Sequence, residues 1–496
     1  MEKTYDAVII GGGVVGAAVF NKLVRIGKKV ALIDSASDVA TGASKANSGL
    51  IHAGYDPEPG TLKAKLNVEG AKLYPKICKR LSLPLKVCGA LVVGDDKKKV
   101  QALYTRGLQN GVKELYILNR KELLKILPDL QEHITVGLYA KTSALISPYL
   151  LTVSLCEEAI INGGELFLEE DLESCQKEKD IFILKTKKGT FKTKNIINSA
   201  GYGYNDVAKI LGTEEYPLEY RRGEYFVFSK DSTTKVPCTL FPLPTEKGKG
   251  VLITPTVDGN YLVGPTSEKS DYETITTENG LKEIKEKAGL ILNKVDFKNA
   301  IRVFSGVRTI CGKDFIVGKS KTNGIINLVG ICSPGLSSAP AIANMVAKLL
   351  GFGTKELKDL KKIEPYKMLK EYPIKEQNEM IKKNKDYGEI VCKCEKITKG
   401  DIVAVLKRPI KIHSVDAIKR RTDAGMGICQ GGFCFTKVVN IIAKTRKMKY
   451  EDVLKENRGS KVAVGDIREV NDGNWCFSDW WRTSRYEQCS FRFSKW

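Results

Sequence analysis

No stretch of about 18 uninterrupted apolar residues occurs in the chain, so no membrane span is expected. The opening Met1-Glu2-Lys3-Thr4-Tyr5-Asp6 lacks both the apolar region and the small-residue cleavage site of a signal peptide, which points to the cytoplasm. Internal repeats and low-complexity tracts are also missing. The net charge is +22, yet lysine and arginine are spread along the chain and no basic stretch is interleaved with aromatics. A nucleic-acid groove is therefore not expected. The charge reads as solvated lysine-rich faces, with peripheral attachment to an acidic inner-membrane face as the alternative.

Disulfides are not expected from the 13 cysteines of such a chain. Cys78, Cys88, Cys156, Cys175, Cys238, Cys311 and Cys332 stand singly and read as small buried hydrophobes or inert thiols. Cys392, Cys394, Cys429 and Cys434 instead form two tight pairs.

A length of 496 residues exceeds one ordinary core, and 42% hydrophobic with 28% charged residues is a globular composition. Residues 5–10 read as a buried parallel strand, 14–26 as a helix and 29–33 as a second strand, which makes a βαβ unit at the start of the chain. A mixed region of strands and helices runs to about residue 350. The Lys-rich segment that follows reads as helix plus linker, and a compact cysteine module comes next.

Gly11-Gly12-Gly13-Val14-Val15-Gly16 matches G-x-G-x-x-G between the first strand and the helix, and Asp34 ends the second strand. Gly11 allows the tight turn, Gly13 the backbone approach to a pyrophosphate, and Gly16 the packing of helix on strand. The helix N-terminus offers N–H groups to the phosphates, and Asp34 is placed to take a ribose hydroxyl. The fingerprint alone does not separate FAD from NAD.

The segments after it do so by resemblance. Thr41-Gly42-Ala43-Ser44-Lys45-Ala46-Asn47-Ser48-Gly49 through Gly54 resembles the flavin-contacting segment of the D-amino-acid-oxidase-like flavoprotein superfamily. Asn198-Ser199-Ala200-Gly201 resembles its second FAD contact. Gly330 through Pro340 resembles its closing loop, where a helix N-terminus meets the flavin ring. The resemblance implies an α/β fold, with a Rossmann-like FAD-binding domain and an interleaved mixed-sheet substrate domain. It also implies FAD contacts at Ser44, Asn47, Ser48, Gly201, Gly335 and Leu336. Within the superfamily, His52-Ala53-Gly54-Tyr55-Asp56, Pro59 through Ala64, Thr254-Pro255-Thr256, Gly264-Pro265-Thr266 and Phe304-Ser305-Gly306-Val307-Arg308 resemble bacterial-type glycerol-3-phosphate dehydrogenases and the related L-2-hydroxyglutarate oxidases.

Oxidising a secondary alcohol needs a base for the hydroxyl proton, a hydride acceptor and a holder for the anionic end of the substrate. His52, one of only three histidines, lies within the flavin-contact segment, and its ordinary pKa of ~6.5 suits a base. A structural histidine beneath the ring is the other reading. Arg308 carries the family's anion-binding role, since a guanidinium fork suits phosphate or carboxylate. A surface ion-pair arginine is its alternative, and Arg221 and Arg222 are secondary candidates.

Cys392-Lys393-Cys394 and Cys429-Gln430-Gly431-Gly432-Phe433-Cys434 are C-x-C and C-x-x-x-x-C pairs, able to hold zinc or an iron–sulfur cluster. Structural zinc favours C-x-x-C knuckles. The run resembles bacterioferritin-associated-ferredoxin-like domains, a small helical module with four cysteines, which implies a 2Fe–2S cluster on these four ligands. Lys419, Arg420 and Arg421 are expected to lie near it and favour its reduced form. A one-electron centre beside a two-electron flavin suits a dehydrogenase that passes electrons to a partner protein or quinone. The leading reading is oxidation of a small anionic hydroxy compound, sn-glycerol 3-phosphate first. L-2-hydroxyglutarate oxidation, amino-acid or opine oxidation, and a non-catalytic electron-transfer subunit are its rivals.

These readings divide the chain into 1–355 (FAD-binding segments about 1–75, 150–215 and 305–355; substrate part about 76–149 and 216–304), a helix and linker at 356–388, the 2Fe–2S module at 389–446 and a tail at 447–496. The tail is compositionally foreign, with all four tryptophans inside 475–496. Back-translation of Ser478 to Ser490, begun one base later, permits Val-Ile-Gly-Gly-Gly-Pro-Ala-Gly-Met-Ser-Ser-Ala, another dinucleotide fingerprint. The expectation is that 467–496 is frameshifted and that a second flavoprotein, encoded immediately downstream, accepts the electrons. An ordinary aromatic tail is the alternative, and the nucleotide sequence decides between them.

Overall fold

The computed structural model describes residues 3–244 and 250–463; the region 467–496 and its proposed second reading frame lie outside them. Ala7–Ile10 is an uninterrupted apolar run, fully buried, as a strand covered on both faces must be. It sits inside a six-stranded sheet in the order Glu165–Leu168, Val30–Asp34, Ala7–Ile10, Ile196–Asn198, Ile325–Val329, Ile316–Lys319. The first five strands are parallel, and Ile316–Lys319 closes the edge antiparallel. Ile10 is in register with both Ile33 and Asn198, so the carboxyl ends of three strands open at one place.

The strand expected over 5–10 is broken at Asp6. Thr4–Tyr5 leaves this sheet and pairs parallel with Lys192–Thr193 of a separate four-stranded sheet. Asp6 makes the corner, with its N–H donating to the Lys29 carbonyl and its carboxylate accepting from the Lys29 N–H. The fingerprint helix, Val14–Arg25, packs between the sheet and the helix Gly335–Leu349.

A nine-stranded mixed sheet forms the second layer of the molecule. Its longest pair joins Glu219–Phe228 to Ala300–Ile310, with Arg221 opposite Arg308 and Gly223 opposite Gly306. Beyond the helix Ile374–Lys383 comes the cysteine module: a hairpin of Ile390–Cys392 with Ile397–Thr398, then helices Lys399–Leu406, Val415–Thr422 and Phe435–Arg446. Its apolar residues Ile402, Leu406, Ile418, Val439 and Ile442 belong to the same buried cluster as Phe20 and Leu23 of the fingerprint helix. The module therefore shares a core with the flavin-fold layer. Residues 447–463 pack back as well: Leu454 hydrogen-bonds His413, and Val415 donates to Leu454. No helix among the described residues is long and apolar enough to cross a membrane.

Candidate active site and cysteine centre

A cavity of about 1070 Å³ opens where the parallel strands end. Gly11, Gly13, Asp34, Ser44, Asn47, Ser48, His52, Gly201, Arg308, Gly335 and Leu336 all line it, although they come from five separate stretches of chain. Gly16 does not reach it. A Cβ there would lie 2.0 Å from the Gly11 carbonyl oxygen, so Gly16 permits helix and strand to touch. Gly11 has φ +108°, and a side chain would meet the Ser199 carbonyl at 2.6 Å. At Gly13 the nearest atom to a Cβ is the Ser44 Oγ at 3.3 Å, which leaves the open approach a pyrophosphate requires.

The carboxylate of Asp34 accepts from the Gly12 N–H at 2.5 Å and the Ala36 N–H at 2.8 Å. Burial raises its pKa above the usual value, with Asp38 and Asp171 adding to the effect against those two N–H groups. Ser44 Oγ accepts from the Val14 N–H at 2.8 Å, the first turn of the fingerprint helix. Asn47 shapes its own loop: its amide donates to the carbonyls of Ala43 and Ser44, and its oxygen accepts from the Gly49 N–H.

His52 is buried, with its N–H donating to Ser337 Oγ at 2.8 Å and its carbonyl accepting from Asn67 at 2.7 Å. Its ring lies 5.9 Å from that of Phe241. Arg308 donates to the Thr266 carbonyl at 2.5 Å, while its Nε is buried without a hydrogen-bond partner. No carboxylate pairs with it among the described residues, and burial lowers its pKa from the ordinary value. Arg222 is committed elsewhere, to Glu224 and Glu268. Arg221 lines the cavity but is paired with Glu219 at 2.7 Å.

The four module cysteines lie as two pairs. Cys394 and Cys429 have sulfurs 3.5 Å apart, and Cys392 is in hydrogen-bond contact with Cys434. Burial would raise the Cys429 thiol, but the N–H groups of Phe433 and Gly431 outweigh it and hold the pKa below its usual value. Burial and Cys392 push Cys434 up to about 12. A Cβ on Gly427 would come within 2.3 Å of the Cys394 Cβ, so only glycine lets the two runs approach. Two pairs of thiols, each joining the hairpin to a loop whose N–H groups reach Cys429, fit a two-iron cluster, whose irons each take two cysteines.

The sequence profile of the FAD dependent oxidoreductase family, DAO, matches residues 6–349. The chain belongs to that family. Residues 390–444 of the oxidoreductase match the BFD-like [2Fe-2S] binding domain. It is 38% identical over 475 residues to a glycerol 3-phosphate dehydrogenase of Caloramator mitchellensis, covering 94% of this chain and 99% of that one. A glycerol 3-phosphate oxidase of Mycoplasma genitalium is 31% identical, over 71% of this chain and 96% of its own. Among solved structures, the dithionite-reduced L-alpha-glycerophosphate oxidase of Mycoplasma pneumoniae with FAD bound aligns with a TM-score of 0.69 at 30% identity, over 72% of this chain and 98% of that one. The oxidoreductase is thus an FAD enzyme that carries a 2Fe–2S domain.

A further expectation is overturned. Arg420 and Arg421 do not serve the cysteines; both are buried against Asp38, and Lys419 lies near Asp416. The helix Val415–Thr422 turns these arginines toward the flavin-fold layer because the module docks through that face. Sequence reasoning also missed Tyr225, Thr266, Lys287 and Cys332, which line the cavity, and Asn457 and Arg458, which enter it from the far end of the chain. Thr266 and Cys332 lie inside runs that the family resemblance marks but were given no role there, and no motif marks Lys287, Asn457 or Arg458.

Proposed function

We propose that the enzyme oxidises sn-glycerol 3-phosphate to dihydroxyacetone phosphate and passes the electrons to a partner protein. The observation that carries this reading is the Arg308 guanidinium, which pairs with no carboxylate among the described residues, in the cavity that holds His52. A buried cation without a carboxylate is costly unless a ligand supplies the anion. Arg308 binds the phosphate, with Thr266 orienting its fork. The His52 imidazole takes the proton of the C2 hydroxyl, and Ser337 and Asn67 fix the backbone that carries it. Gly11, Gly13, Asp34 and Ser44 hold FAD, and Cys392, Cys394, Cys429 and Cys434 hold the cluster. Bound FAD supplies the hydride acceptor and the 2Fe–2S centre a one-electron outlet.

The relative named a dehydrogenase, 38% identical over 94% of this chain, supports the same reading. So does the surface around the outlet. Cys394 is exposed, and it is flanked by Phe433 at 81% exposure and Ile428 at 66%. Exposed apolar side chains around a redox centre suit docking of another protein. We assign that place to the second flavoprotein read from the shifted frame. The test is anaerobic: glycerol 3-phosphate, L-2-hydroxyglutarate and an amino acid are each added while flavin absorbance is followed. Bleaching by glycerol 3-phosphate alone is expected. Bleaching only by another compound replaces the substrate, and no bleaching by any leaves a non-catalytic electron carrier.

A further inference from the structure

The loop that follows Val30–Asp34 runs to residue 49 without a helix or strand, yet it forms one wall of the cavity. Its polar side chains are held by the far end of the chain. Ser37 Oγ donates to the Glu456 carbonyl. Asp38 is gripped by Arg420 and Arg421, and Lys45 reaches both carboxylate oxygens of Glu456 at 2.6 Å. Arg420 joins the two sets, donating to Glu456 at 2.6 Å as well as to Asp38.

The next two residues go further. Asn457 and Arg458 line the cavity itself, and Arg458 is ion-paired with Asp171, which lines it too. Asp34, Ser35, Ala36, Glu170 and Leu172 complete the same lining. Asp34 stands where a strand–glycine–helix site takes the ribose hydroxyl, so the adenosine half of FAD belongs near these residues.

We propose that the FAD site of this enzyme is completed by its iron–sulfur half: Asn457 and Arg458 contact the adenosine portion, and Arg420, Arg421 and Glu456 clamp the loop over it. A guanidinium can stack on an adenine ring or donate to ribose and phosphate oxygens. A loop already ordered by buried ion pairs loses less freedom when FAD binds, which tightens binding. The coupling is reciprocal, so FAD in turn strengthens the docking of residues 450–463.

The experiment uses the full-length protein and reads FAD itself. Dissociation constants are measured by the fluorescence of released flavin for the parent, Arg458→Ala, Glu456→Gln and Lys449→Ala. Loss of one charge-assisted contact is expected to weaken FAD about tenfold in the first two variants. Lys449, paired on the surface with Glu451, serves as the control and is expected to match the parent. In unmutated protein, amide hydrogen exchange across 450–463 and 35–48 is compared with and without FAD. Slower exchange in both segments on adding FAD is the expected result. Parent-like FAD affinity in both Arg458→Ala and Glu456→Gln, or exchange at 450–463 indifferent to FAD, overturns the proposal.

Discussion

Arg421 and Asp38, 383 positions apart in the chain, form a two-pronged ion pair in which Nη1 and Nη2 reach the two carboxylate oxygens at 2.7 and 2.8 Å. Their side chains are 1% and 0% exposed. Arg420 adds a third contact to the same carboxylate at 2.8 Å. A buried charge without its partner is far more costly than the pair is favourable. Arg421→Ala should therefore destabilise the protein by about 3–5 kcal/mol in denaturant titration. Asp38→Asn with Arg421→Met should recover much of that loss, and no recovery would mean that the pair is not the cause.

The same carboxylate sets an acid limit. Burial would raise Asp38, but Arg421 and Arg420 overcome it and hold the pKa at about 2, against an ordinary 3.8. A depressed carboxylate contributes stability above its unfolded pKa and loses it as pH falls through the folded value. Stability should decline between about pH 4 and pH 2, and Asp38→Asn should flatten that limb of the melting-temperature profile.

Asp423 carries the opposite sign. Burial and the neighbouring Asp258 push it up to about 7. Its native form favours the proton, so stability present below about pH 4 is lost as pH rises through 7. Asp423 ends its helix in the left-handed region at φ +64°, a place asparagine also tolerates. Asp423→Asn should leave the melting temperature at pH 4 nearly unchanged and raise it at pH 8.

Arg308→Ala should raise KM for the anionic substrate, because a charge-assisted contact worth about 1.5–3 kcal/mol is lost. His52→Ala should mainly lower kcat, by roughly 10²–10⁴ for a general base. Steady-state kinetics on glycerol 3-phosphate separate the two, and a parent-like value in either variant removes that residue from the site.

Cys394→Ser and Cys429→Ser should each abolish bound iron and sulfide in protein prepared anaerobically. Substrate should still bleach the flavin, while delivery to a one-electron acceptor fails. Zinc at one equivalent without iron, measured by elemental analysis, would remove the outlet from the reading.

Local chemistry made much of the site legible. Gly11 and Gly16 act through steric demands that no other residue meets, Gly13 leaves the backbone open to a pyrophosphate, and such demands leave a mark at fixed spacing. The cysteine pairs are marked in the same way, since thiolates have few uses at that density. Arg420 and Arg421 were misplaced because nearness in sequence to Cys429 says nothing about which face of a helix a fold will bury. The break at Asp6 was invisible for a related reason: an apolar run shows that a strand forms, but not which sheet takes each half.

What the order of residues determined was therefore the chemistry: a strand–glycine–helix site, a flavin-contact segment, a buried strand and a four-thiol module. Each rests on interactions among residues close in the chain. Only the tertiary structure decided which strand brings Arg308 into the cavity with His52. It alone placed Arg458 on the wall shared with Asp34, and it alone committed two arginines to Asp38. Those contacts join residues hundreds of positions apart, and they arise because one continuous core packs the module against the flavin-fold layer. Packing of that kind depends on shape and buried area summed over the whole molecule, and no short stretch of sequence carries it.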